Sequence, residues 1–446
     1  MTQVKPVAES HRPRAARAKT AGWLACVCGG ALAIASSAFG QTAAAPMERI
    51  TFADAIARAI DKNPTAAIAA AGILRAEGLV RQARSATLLQ LTGNVTTTTL
   101  NRGVEFQGAT VTPQNQVTAS LTADMPVVNA AAWARRAQAL DQQHVAELNL
   151  ADVRRQVATS TADAYLAVFA ARRVLDANTR ARDTAKAHFD LATELEQRGT
   201  GSHVNTLRAQ QQWTSDEGLV EAARLSLYRA QEALGILIVA DGPVDAADEP
   251  TFDVSEPTAG AGSAASAFAR TDLKLFAAEQ QAASRVVRDS AKDYFPSLDA
   301  IFLPQSTYPA QFFVPANSWR FLLQANIPLF DSGQRAAMKV QRQAALDEAT
   351  ATLAGATTTV ASQVRAAREA VASSERSLVS ERAAADQAQQ VVSITNLSFR
   401  AGAATSIEVI DAERSARDAD TAVAVGEDNL RRAQLDLLIA LGRFPR

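Results

Sequence analysis

Gln116-Val117-Thr118-Ala119-Ser120-Leu121-Thr122-Ala123-Asp124-Met125 decides the architecture of this 446-residue chain, and Ser318-Trp319-Arg320-Phe321-Leu322-Leu323-Gln324-Ala325-Asn326-Ile327 answers it 202 positions later. In the first stretch Val117, Ala119, Leu121, Ala123 and Met125 share one face, with Gln116, Thr118, Ser120, Thr122 and Asp124 opposite. In the second, Trp319, Phe321, Leu323, Ala325 and Ile327 face Arg320, Leu322, Gln324 and Asn326, a mostly polar set. A period of two predicts a strand at both places. Each is preceded by a weaker candidate, 89–100 with its run Thr96-Thr97-Thr98-Thr99, and 297–305, so β-hairpins are expected at about 88–128 and about 297–328. The segments between, 101–115 and 306–318, are rich in Gly, Pro, Asn and Gln and read as exposed loops. Strands of about 9 to 11 residues are what a bilayer-spanning barrel requires.

Working outward, the rest of the chain is also written twice. Met125-Pro126-Val127 corresponds to Ile327-Pro328-Leu329, Gly199 to Gly402, and Arg229-Ala230-Gln231 to Arg432-Ala433-Gln434, at an offset of 202 to 203. Between the copies, 240–263 holds Gly242-Pro243, Glu249-Pro250, Glu256-Pro257 and Gly260-Ala261-Gly262, too broken for a long helix, and reads as a linker. The repeats then run 41–239 and 264–446. Thr51-Phe52-Ala53-Asp54 has the form of a capping box opening the first helix, and Asn63-Pro64 breaks and restarts it. Past the strands, 129–197 contains no proline, and Leu150, Val153, Val157, Ala164, Val168 and Leu175 recur at sums of three and four. Val360, Val364, Ala367, Val371 and Leu378 do the same. At about 1.5 Å per residue the first of these helices spans roughly 100 Å. Both end in Gly-containing turns, 198–202 and 400–405, after which a returning helix runs to Leu234-Gly235 or Leu441-Gly442. The helical hairpins are thus expected at about 129–238 and about 332–442.

Composition excludes several classes of function. The net charge of -1 offers no basic surface, and the aromatics, 5% of the chain, are not interleaved with Lys or Arg as a nucleic-acid platform needs. Both cysteines, Cys26 and Cys28, fall in the apolar run 23–34, which follows Arg12, Arg14, Arg17 and Lys19 and precedes Ala38-Phe39-Gly40. That order predicts a signal peptide over 1–40, cleaved near Gly40 to leave a mature chain without cysteine. Trp23 and Ala25 stand where a lipobox wants an aliphatic residue, so no lipid is expected. The remaining histidines, His144, His188 and His203, have no metal-ligand spacing; no enzyme, metal or cofactor is expected.

Four landmarks resemble the TolC-like outer-membrane efflux protein family: Thr51-Phe52 with Ala55, Ala59 and Asn63-Pro64; Tyr294-Phe295-Pro296-Ser297-Leu298; Ile327-Pro328-Leu329-Phe330-Asp331-Ser332-Gly333-Gln334; and 402–412. The first strand-to-helix junction, Met125-Pro126-Val127-Val128-Asn129-Ala130, lacks the Phe-Asp-Ser-Gly of the second. The resemblance implies a mainly α fold with β, in which duplicated long helical hairpins form a periplasmic α-barrel. It also implies a four-stranded contribution to a trimeric, 12-stranded transmembrane β-barrel. Four strands alone leave unpaired edges, so closure requires other copies, and the family sets their number at three. Implied with this are a homotrimer in the outer membrane, a periplasmic adaptor (membrane fusion protein) and an inner-membrane pump. The function implied is that of an exit duct in tripartite efflux or type I secretion. The alternative is a periplasmic coiled-coil adaptor or structural protein of the envelope, which would share the Ala-rich helices but should carry a β-rich lipoyl-type domain.

The resemblance also implies site residues. The turns Arg198, Gly199, Gly201 and Ser202, and Arg400, Gly402, Ala403, Ala404, Thr405 and Ser406, lie farthest from the strands and are expected to face the adaptor. Glu408 and Asp411, three apart, should share one helix face and line the periplasmic constriction, with Asn205 at the equivalent place in the first repeat. The competing readings are that the glycines only permit the turn and that the acids only favour a helix N-terminus.

Overall fold

The computed structural model describes residues 47–254 and 270–444; the leader expected at 1–40, with both cysteines, lies outside the described residues. After β1 (Glu48–Ile50), Thr51 caps α1 (Phe52–Lys62) by accepting from the Asp54 amide at 3.2 Å. The reciprocal half of the expected capping box does not form. Asp is one methylene shorter than the Glu such a box uses, and its carboxylate takes the Thr51 hydroxyl at 2.7 Å instead. Asn63 is extended and caps the Thr65 amide, while Pro64 opens α2 (Pro64–Ser85) where no amide hydrogen is needed.

The chain continues through β2 (Gln90–Thr99), β3 (Val104–Phe106), β4 (Ala109–Thr112) and β5 (Asn115–Val128). Then come α3 (Ala130–Gln197), α4 (His203–Leu237) and β6 (Val244–Ala246). The second half holds α5 (Thr271–Asp289), β7 (Ser297–Tyr308), β8 (Asn317–Asn326), α6 (Gln334–Arg400) and α7 (Ser406–Ala440). The segment read as an exposed loop at 101–115 contains a small ribbon, β3 against β4, whose turn residues Gln107 and Gly108 both have positive φ. That is the twist a two-residue hairpin turn demands. The first returning helix also passes Gly235, ending at Leu237.

The four long strands form one antiparallel sheet in the order β2-β5-β7-β8. Register fixes its two faces. Leu91 and Phe302 both stand opposite Ala123, Val95 opposite Ala119, and Phe321 opposite Phe302, so Leu91, Val95, Val117, Leu121, Met125, Phe302, Trp319 and Phe321 share one face. Those apolar side chains are exposed, whereas Gln116, Thr118, Ser120, Thr122 and Asp124 on the reverse face are half-buried. A strand of a water-soluble sandwich does the opposite. The junctions back to helix differ between repeats. Asn129 caps α3 by accepting from the Ala132 amide at 2.9 Å; in the second repeat Asp331 accepts from the Gly333 amide at 3.2 Å and the Arg335 amide at 3.0 Å. The Arg335 guanidinium first, and those amide bonds after it, hold the Asp331 carboxyl below its ordinary range.

Each long helix is flanked by two shorter ones, α2 and α4 along α3, α5 and α7 along α6. The buried residues of α6, Val360, Ala367, Val371, Leu378, Ala385, Val392 and Phe399, step by seven or four, a coiled-coil seam. Helix α3 packs on neighbours from both repeats, which is why its buried surface is broader than a stripe and includes Thr161 and Tyr165. Midway along α3, β1 and β6 pair in parallel over a core of Tyr165, Val168, Leu234 and Ile238. Leu166, Leu435, Leu438 and Phe444 form the adjoining cluster. The Tyr165 hydroxyl lies 2.7 Å from the Asp248 carbonyl, 2.8 Å from its carboxylate and 3.2 Å from the Ile50 carbonyl. Burial, then the Asp248 carboxylate, pushes its phenol pKa upward. At roughly 1.5 to 3 kcal/mol for each large side chain fully buried, this waist is the strongest part of the molecule.

Candidate functional site at the hairpin tips

Both hairpins turn with the same backbone device. Gly199 and Gly402 each have φ +76° one residue beyond the helix cap, a conformation costly for any residue with a Cβ. In the first turn the Gly199 amide donates to the Glu196 carbonyl at 2.9 Å, and the Thr200 and Gly201 amides to that of Leu195 at 3.0 and 2.8 Å. In the second, the Gly402 amide donates to Phe399 at 3.0 Å and the Ala403 amide to Ser398 at 2.8 Å. The carbonyls left over at each helix end are thereby satisfied. A Cβ on Gly201 would stand 2.7 Å from the Glu196 nitrogen, so that position excludes every side chain; one on Gly402 would meet open space, and only its φ requires glycine.

Helix caps then set the returning helices. Ser202 accepts from the Val204 amide at 3.3 Å at the start of α4. At α7 the box is complete: Thr405 accepts from the Glu408 amide at 3.4 Å, and the Glu408 carboxylate accepts from the Thr405 amide at 2.8 Å. Asn205 and Glu408 occupy the same third position of their helices, Asn205 half-buried and Glu408 exposed. Asp411 is exposed one turn further along the same face and makes no ion pair among the described residues. Arg198 pairs with Glu194, while Arg400, Gly402, Ala403 and Thr405 are exposed around the second turn. Ser406 departs from the turn residues expected to be available to a partner. It is buried, with its Oγ 3.1 Å from Nε2 of His188, whose ring stands 5.1 Å from that of Phe399. Ser406 stands three, four and seven positions before the inward Val409, Ile410 and Glu413 and so shares their face.

Above the tips the seam is polar. On α4 the buried residues include Thr206, Gln212 and Asp216, and on α7 they include Ser406 and Glu413. Arg417 donates to Asp216 at 2.8 Å, Arg414 to the Gln212 oxygen at 2.6 Å, and Gln212 to both Asp216 oxygens at 3.0 Å. Sequence reading missed this network because Gln, Asp and Arg at helical spacing read as a solvated face; only their phase, shared with Val220, Val409 and Ala416, marks them as inward. Among the described residues no group of three or more His, Cys, Asp or Glu side chains could hold a metal ion.

The family model described as outer membrane efflux protein matches residues 55–238 and 267–443, one match to each repeat. No curated protein sequence matches the chain. Among solved structures, CusC is similar at a TM-score of 0.79 and 16% identity, over 89% of this chain and 92% of that one. VceC of Vibrio cholerae is similar at 0.74 and 19% identity, over 88% and 96%. MtrE of Neisseria gonorrhoeae, an outer membrane channel in its open state, is similar at 0.74 and 17% identity, over 88% of each. At these identities the likeness speaks for the fold, and it agrees with long paired helices carrying a four-stranded sheet whose apolar face is exposed. Because the family model spans both repeats and most of the chain, the protein belongs to the outer membrane efflux protein family, a TolC-like outer-membrane protein with a periplasmic helical part.

Proposed function

We propose that the chain is the exit duct of a tripartite efflux or type I secretion system, working as a homotrimer that takes cargo from an inner-membrane pump engaged through a periplasmic adaptor. The observation that carries this reading is the sheet, apolar on its exposed face, polar on the reverse and unpaired at both edges. Unpaired strand edges in lipid cost several kcal/mol for each polar group, so the edges must be covered. Strands β2 and β8 run in opposite directions, so β8 of one copy can pair antiparallel with β2 of the next, a head-to-tail contact that rotation closes into a ring. Three copies supply the twelve strands of the family's barrel. The adaptor reading requires a lipoyl-type module, whereas the long strands here are of bilayer length.

Within that duct the turns around Gly199, Gly201 and Gly402 are the docking ends, and Glu408 and Asp411, with Asn205 beside them, form the constriction. One Glu408 oxygen already closes the capping box, which leaves Asp411 as the more available carboxylate. Planar-bilayer recording of the purified trimer tests this. Changing both acids to Ala should reduce cation selectivity and weaken block by multivalent cations, and Asp411→Asn should account for more of the change than Glu408→Gln. A stable, conducting monomer in native mass spectrometry would refute the trimer, and unchanged selectivity in the double variant would leave the acids only their capping role.

A further inference from the structure

Glu413 sits on the inward stripe of α7, between Ile410 and Ala416, where a coiled-coil seam ordinarily holds an apolar side chain. It is only 7% exposed, and neither carboxylate oxygen has a hydrogen-bond partner among the described residues. A carboxylate buried in that state is costly, whereas a neutral carboxyl there loses far less. It lines a cavity of about 430 Å³ between the two repeats. Helix α3 contributes Arg180 to that cavity, α6 contributes Gln389 but no charge, and α7 contributes Arg417 and Asp420. Helix α4 faces Glu413 with Asp216, whose negative charge opposes ionisation of its neighbour. The two cations that could offset this are committed elsewhere or held back: Arg417 is bonded to Asp216 and Asp418, and Arg180 makes no ion pair among the described residues, Glu413 included. Arg414 is turned to Gln212. One turn or two toward the tip, α3 adds His188, hydrogen-bonded to Ser406.

We propose that Glu413 is a proton-binding latch: protonated, it lets the tip ends of α4 and α7 pack, and its ionisation loosens them. This goes beyond the duct assignment and does not depend on it, since every group named belongs to one chain. Burial first, and the Asp216 charge second, raise the Glu413 pKa to about 8 from 4.5. The packed state therefore holds a proton that the loosened, hydrated state gives up between those values. Packing is fully favoured below about pH 4.5, loses ground as pH climbs toward 8, and changes no further above that. His188 acts in the opposite sense, and burial lowers its pKa, so it stays neutral through the upper part of this window.

Hydrogen exchange of the intact protein in lipid nanodiscs, read over 206–220 and 406–420 at pH 6.5 and 8.5 after correction for intrinsic exchange, tests the latch. Protection of both segments should fall by about tenfold or more at the higher pH, while 157–168 at the waist stays constant. Glu413→Gln, the uncharged isostere, should show the same protection at both values, at least that of the pH 6.5 wild type; should it not assemble, Glu413→Met serves the same purpose by filling the seam. Equal wild-type protection at the two pH values, or a pH response retained in the neutral variant, would overturn the proposal.

Discussion

The same helices are held together differently at their waist and at their tips. At the waist α3, α4 and α7 meet through Tyr165, Leu166, Val168, Leu234, Leu435 and Leu438, in two adjoining apolar clusters. Toward the tips the inward positions include Asn178, His188, Gln212, Asp216, Ser406 and Glu413 among small apolar residues such as Ala412 and Ala416. Apolar packing carries no group to titrate and is not weakened by screening of charge. A polar seam keeps its register by specific bonds and weakens when one partner is removed or ionised, because the interior then holds an unmatched group. The contrast teaches that one set of helices can be fixed by apolar packing along one stretch and by bonds that a single change of charge undoes along another.

The largest expected effect breaks the waist. Leu166→Ala or Leu435→Ala should cost about 2 to 5 kcal/mol and lower the melting temperature of the whole protein, as read by circular dichroism at 222 nm. Asp216→Ala, which takes the acceptor from the buried Gln212 amide and leaves Arg417 with Asp418 alone, should cost about 1 to 3 kcal/mol, with the loss of hydrogen-exchange protection confined to the tip ends of α4 and α7. If that variant melts the waist as well, the two regions are one cooperative unit and the comparison fails. Tyr165→Phe, which keeps the ring and removes the hydroxyl shared by Ile50 and Asp248, should cost about 1 to 3 kcal/mol and expose β1 to proteolysis. Thr405→Ala removes the cap of α7 for about 1 kcal/mol and should fray only its first turn. Smallest of all, raising salt from about 0.1 to 1 M should loosen the tips slightly and leave the waist unchanged.

Much of this fold was legible in the sequence where a periodic signal is long. The alternation at Val117 to Met125 and its copy at Trp319 to Ile327 named the strands, and the seven-residue steps through Val360 and Leu378 named the seam. What escaped was short or out of phase with composition. Strands β1 and β6 are three residues each, too brief for alternation to show, and β6 lies inside the segment read as linker. The ribbon at 104–112 was hidden by its loop-like composition, although Gly108 follows an alternating Val104-Glu105-Phe106. At the candidate site, the turn glycines were readable because each depends on backbone chemistry local to a few residues, whereas the Thr405 to Glu408 box, equally local, went unread behind the constriction role expected of Glu408. The polar seam was not readable, because Gln212, Asp216 and Glu413 acquire their meaning from helices some 200 positions away in the chain.

The ring of Phe444 packs 6.3 Å from that of Phe52, so the two ends of the described chain meet at the waist. The order of synthesis therefore matters. A polypeptide threaded through a pore N-terminus first presents α1 long before its partner at the far end emerges, and Phe52, Ile56 and Ile60 have only the first repeat to cover them meanwhile. The part of the waist built on Leu166, Leu435, Leu438 and Phe444 is thus the last that can form, whereas the apolar cluster around Tyr165 needs nothing beyond Ala246. Contacts spanning nearly the full chain length are slow to close and exposed to misassembly while they wait. Cutting the chain short by even its last few described residues should leave long helices that form yet cannot lock, a nearly complete protein held in the state of an unfinished one.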